Sequence, residues 1–149
     1  MIAAIDYIAG VGQLHGSPSD GGRRAAIVAG YEAFAAHESI LARRFLEGLG
    51  SVEGARLYGI VDASRLDERT ATFAIRNGTQ HPLETAAELG RRGIFVWDGH
   101  YYAITLMERL GLLNSGGAVR IGFCHYHTLE EVDRVLEALV DLSRRAGAA

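Results

Sequence analysis

The chain has 149 residues, 48% of them hydrophobic and 22% charged, with 19 Gly and 2 Pro. That is the profile of an ordinary globular domain and excludes a disordered or collagen-like chain. Fifteen basic residues against 18 acidic ones leave a net charge of −3, with no broad cationic surface, so nucleic acid is not an expected partner. All 15 basic residues are arginine, so the chain carries no side-chain amine. Cys124 is the only cysteine, which excludes an internal disulfide and a cysteine-rich zinc site and points to the cytoplasm.

In chain order, residues 1–14 read as an apolar helix. Asp6 interrupts the run and no basic segment precedes it, so it does not read as an export signal. No apolar stretch reaches the ~20 residues that cross a bilayer, so no membrane partner is expected. Residues 15–22 are dense in turn formers and read as a linker. Ile27, Tyr31, Phe34, Leu41, Phe45 and Leu49 then recur at steps of three, four and seven, one stripe of a long connecting helix over residues 23–50. Gly50 is expected to stop it in the left-handed conformation. Such a helix is about 40 Å long, more than a compact domain needs.

Residues 51–149 alternate strand and helix signals. Strands are expected over 55–60, 69–75, 94–97 and 118–124. Pro82 opens a helix that Gly93 ends, Asp98 is placed to cap a helix over 100–110, and Thr128 with Glu131 forms a capping box for a final amphipathic helix to about residue 144. The expected fold is α/β: a small mixed four-stranded sheet with helices packed on one side, preceded by the long connecting helix.

Three stretches carry chemistry. Arg120 sits mid-strand between Val119 and Ile121, whose side chains point to the opposite face. It is either an edge arginine with its head in water or a fork for a substrate carboxylate, whose two oxygens match a guanidinium. Trp97-Asp98-Gly99-His100-Tyr101-Tyr102 lies at a strand-to-helix junction, where α/β proteins place ligands, although Trp97 and Tyr101 also suit a core. His125 and His127 share one face of an extended segment but lack the further ligands a zinc site requires. Cys124 has no base beside it and reads as an inert thiol.

Taken together, these residues resemble the C-terminal part of class V aminotransferases, most closely the cysteine desulfurase-like branch. The resemblance rests on Val119-Arg120-Ile121-Gly122 followed by His125-Tyr126-His127-Thr128-Leu129-Glu130-Glu131-Val132-Asp133, and on residues 93–103, Gly-Ile-Phe-Val-Trp-Asp-Gly-His-Tyr-Tyr-Ala. Arg69-Thr70-Ala71-Thr72-Phe73 is a weaker match. The resemblance implies a fold-type-I enzyme, usually homodimeric, that uses pyridoxal phosphate on an amino-acid substrate. The large domain supplies the cofactor's lysine and phosphate site.

On that reading, residues 1–14 close the large domain, 15–22 link, 23–50 connect and 51–149 form the small domain. The cofactor would belong to the parent enzyme and not be held covalently by this chain, which would be inactive alone. Its partner would be the large domain or a second copy. Arg120 falls where the family grips the substrate's α-carboxylate, and His100 matches the histidine of the active-site loop. Trp97 and Tyr102 depart from the pattern. Trp97 stands where many desulfurases have arginine, and Tyr102 where they carry the sulfur-accepting cysteine, so persulfide formation by the usual route is not available. The alternative reading is a free-standing, non-catalytic binding or assembly module.

Overall fold

The computed structural model describes residues 2–15 and 21–147. Most of the expected linker therefore lies outside the described residues. Helix α1 (Ile2–His15) and helix α2 (Gly22–Leu49) form an antiparallel-type hairpin that begins the chain. They approach so closely that a Cβ on Gly12 would sit 1.8 Å from the carbonyl oxygen of Ala26, and one on Gly30 2.2 Å from that of Ile8. Only glycine permits this backbone contact. The 28 residues of α2 give a rod of about 42 Å. Its first half packs on α1, and its second half buries Leu41, Phe45 and Leu49 in the main core. Gly50 keeps right-handed backbone (φ −60°), contrary to the left-handed stop expected there; the chain makes its left-handed turn four residues later, at Gly54 (φ 72°).

The sheet contains β1 (Ala55–Tyr58), β2 (Thr72–Asn77), β3 (Trp97–Gly99) and β4 (Ala118–Gly122), in the order β1-β2-β4-β3. The four strands were foreseen, but every ladder is antiparallel, where a mixed sheet was expected. The reason is topological. Helix α3 (Pro82–Arg91) is a crossover between β2 and β3, which run the same way, and β4 enters between them in the opposite direction, as in a split βαβ unit.

Phe73, Ile75, Val119 and Ile121 point to one side and meet Phe45 of α2, Leu89 of α3 and Val132 and Leu139 of helix α5 (Leu129–Gly147), all buried. Fully burying each such side chain contributes about 1.5–3 kcal/mol before conformational entropy is counted. The opposite face is not bare. Helix α4 (Ile104–Arg109) and a short 3-10 turn at Leu113–Ser115 place Met107 and Leu112 against Ala118, Ala74, Tyr58 and Tyr101, a small second core covering part of that face.

Local signals explain the boundaries. The His81 ring accepts a hydrogen bond from Leu83 N–H ahead of Pro82, and Gly93 ends α3 at φ 72°. The capping box forms reciprocally: Thr128 N–H donates to Glu131 (2.9 Å) and Glu131 N–H donates to Thr128 Oγ1 (3.3 Å). Around β3 the expectations shift. The strand spans Trp97–Gly99 instead of 94–97, and Phe95 is 90% exposed. Asp98 is a strand residue, not a cap, and α4 begins at Ile104, because Tyr101 and Tyr102 both take left-handed backbone (φ 52° and 60°) and end any continuous helix there. Cys124 lies just past the end of β4.

Candidate functional site

The register places Arg120 directly opposite Ala74 of β2 and Trp97 of β3, while Ala74 lies opposite Tyr58 of β1. Tyr58, Ala74, Arg120 and Trp97 thus form one row across all four strands, on the face away from α2, α3 and α5. Alternation sends Val119 and Ile121 into the main core, so Arg120 is driven out on this second face, as the strand pattern predicted. Arg120 is exposed, and its guanidinium carbon stands 5.4 Å from the centre of the Tyr101 ring, within reach of a cation–π attraction.

Among the described residues Arg120 makes no ion pair. Its neighbours on the same face and strand are Ala118, which is buried, and Gly122, so nothing bulky screens the guanidinium along β4. Tyr101 is fixed from below, its hydroxyl donating to the carbonyl of Ala118. Burial holds that phenol well above the usual tyrosine range, with the Arg120 charge acting in the opposite direction.

The turn after β3 carries the other predicted residues. His100 is exposed and accepts the Tyr102 backbone N–H at its Nδ1 (3.1 Å), so the neutral ring holds its proton on Nε2. Tyr102 is 93% exposed and sits edge-on to His100, ring centres 6.0 Å apart. The register thus sets Arg120 and Trp97 at paired positions of adjacent strands, with His100 and Tyr102 on the adjoining turn and Tyr101 between them. The part of Tyr101 as seat for the guanidinium was missed in the sequence, where it read equally well as core. Ala74 and Tyr58 were missed altogether, because their adjacency to Arg120 depends on long-range register.

His125 and His127 do not form a metal pair. His125 stacks on Phe34 (3.8 Å between ring centres) and hydrogen-bonds the Tyr7 hydroxyl (2.9 Å), while His127 Nδ1 accepts from Cys124 N–H. They lock the segment after β4 to itself and to the helical hairpin. Among the described residues no three His, Cys, Asp or Glu side chains gather as metal ligands.

The aminotransferase class-V family model matches residues 25–135. The chain belongs to this family. Over 146 residues it is 31% identical to a cysteine desulfurase of Pectobacterium carotovorum subsp. carotovorum, an alignment that spans 98% of this chain and 29% of the relative. It is 29% identical over 110 residues to the aminotransferase-like protein FGM3 of Gibberella zeae, covering 73% of this chain and 27% of that one. In three dimensions it superposes on the apo cysteine desulfurase of Thermococcus onnurineus NA1 with a TM-score of 0.66 and 28% identity, covering 87% of this chain and 32% of that one.

This class V chain thus spans about a quarter to a third of the relatives it matches. Class V aminotransferases and cysteine desulfurases are in general pyridoxal-phosphate enzymes. The 149 residues contain no lysine, so they do not themselves fit the covalent anchor of that cofactor; what they offer is an unpaired guanidinium. No described helix is long and apolar enough to cross a membrane.

Proposed function

We propose that the chain is the small domain, with its connecting helix, of a pyridoxal-phosphate-dependent class V enzyme acting on an amino acid. Arg120 receives the substrate's α-carboxylate, and Trp97, His100 and Tyr102 wall the same half-site. The observation that carries this reading is the state of Arg120: solvent-accessible, without a carboxylate partner among the described residues, and seated on Tyr101 beside Trp97. A guanidinium so placed offers parallel N–H donors in the geometry that two carboxylate oxygens accept.

On this reading α1 belongs to the end of the large domain, and a lysine outside these residues carries the cofactor. Sulfur transfer of the desulfurase kind is not this chain's contribution, since Tyr102 stands where the nucleophilic cysteine would. Cys124, half-buried past β4 and with its backbone N–H tied to His127, does not replace it.

Nuclear magnetic resonance tests the carboxylate site. Titration with sodium propionate should move the Trp97 indole and the Ala74 and Gly122 amide signals saturably, and the Arg120→Gln variant should abolish the effect. Equal shifts in the variant would refute the assignment. Pyridoxal phosphate mixed with the chain should leave no visible absorbance band on the protein after gel filtration; a band that survives would contradict the placement of the anchoring lysine elsewhere.

A further inference from the structure

Three arginines share the second face of the sheet, and their engagement differs. Arg76 donates to the carbonyls of Ser115 (2.8 Å) and Gly117 (2.9 Å). Arg56, opposite Arg76 on β1, lies over the Tyr58 ring with its guanidinium carbon 5.0 Å from the ring centre. Arg56 and Arg120 both lack an oxygen partner among the described residues, and each lies over a tyrosine ring; only Arg120 stands directly opposite Trp97.

The second core covers one side of the Arg120 site, and the other side is left open. Toward β2 its neighbour is Ala74, which packs against the Met107, Leu112 and Ala118 cluster, and along β4 its neighbour is Gly122. A Cβ on Gly122 would meet nothing nearer than Thr72 Oγ1 at 3.7 Å, so the space above it is open. Tyr58 closes the row at one end and Trp97 at the other. The Trp97 side is the telling one. Its indole is on a residue 62% exposed, and among the described residues it makes no ring–ring contact and does not serve as the seat of the Arg120 cation, a role Tyr101 takes. An indole face left free one strand away from an unpaired guanidinium is positioned to stack on whatever the anchored acid carries.

We infer that the Arg120 site selects carboxylates bearing a flat apolar group, so that the amino-acid substrate belongs to the aromatic or large apolar class. This rests on the carboxylate reading given above and deepens it. The acid group binds Arg120 and the ring lies on Trp97, beside the open space above Gly122.

Isothermal titration calorimetry on the whole chain, at matched ionic strength, compares propionate, 3-phenylpropionate and the neutral 3-phenylpropanol. The expected result is 3-phenylpropionate binding about three- to tenfold more tightly than propionate, the range an aromatic contact supplies, with 3-phenylpropanol weaker than either acid. Trp97→Ala should bring the ratio of the two acids close to one, and Trp97→Phe should keep the preference. Far-UV circular dichroism verifies that both variants fold, as replacement of an exposed side chain allows. Equal affinity for the two acids would overturn the inference and leave the carboxylate site standing. Binding of neither acid would overturn both. Alcohol binding as tight as that of the aromatic acid would overturn the inference by showing an apolar patch independent of Arg120.

Discussion

Arg120 illustrates how a single residue's environment decides its chemistry. Buried Val119 and Ile121 on either side anchor the strand, so the guanidinium is presented on a rigid element instead of a loop, and Tyr101 holds it without neutralising it. Tyr101→Phe keeps the ring and deletes the hydroxyl bonded to Ala118 O; it should cost about 1 kcal/mol of stability in denaturant titrations. The same phenol supplies a pH dependence. Its folded value is raised, chiefly by burial, so its contribution to stability is intact below the unfolded tyrosine value of about 10 and is lost as pH rises toward the folded value. Alkaline unfolding should therefore be shallower in Tyr101→Phe than in the wild type; identical profiles would contradict the assignment. The direction of Arg120 was legible from strand alternation alone. The seat provided by Tyr101 was not, because two successive left-handed tyrosines follow no periodic pattern.

At the scale of elements, punctuation was read more easily than extent. The Thr128 and Glu131 pair appears as foreseen, since a capping box is a local event fixed by spacing. Thr128→Ala should lower stability by about 1 kcal/mol, measured by thermal or denaturant unfolding. Strand β3 was displaced by three residues, because an apolar run such as Ile94-Phe95-Val96 looks buried unless one knows that Phe95 turns outward and that pairing with β4 begins only at Trp97. The crossing of α1 and α2 was hidden for a related reason: a glycine in a helix shows no trace in the sequence of the backbone that passes over it. Gly12→Ala must push α1 away from Ala26, at a cost of roughly 1–3 kcal/mol. Loss of amide-exchange protection in α1, with the sheet domain still protected, is the expected signature.

For the whole molecule, the sheet, its helices and the second half of α2 close one core, while the helical hairpin does not close its outer surface. Ile2, Tyr7 and Leu14 of α1 and Val28, Tyr31 and Ile40 of α2 are all exposed by half or more of their area, or nearly so, an apolar surface of the kind that pairs with another domain or copy. Concentration-dependent association in analytical ultracentrifugation is the expected behaviour, and a monomer at all concentrations would count against it. Helix count, strand count and the overlong α2 were readable from composition and periodicity, whereas strand direction and the aromatic row around Arg120 emerged only when β4 was placed between β2 and β3. The central claim is that this one guanidinium binds a carboxylate next to Trp97, the single tryptophan of the chain. Its fluorescence, titrated with sodium acetate against sodium chloride of equal ionic strength, reports that event directly. A saturable change with acetate that disappears in Arg120→Gln is predicted; the same response in the variant, or none in the wild type, would contradict the account.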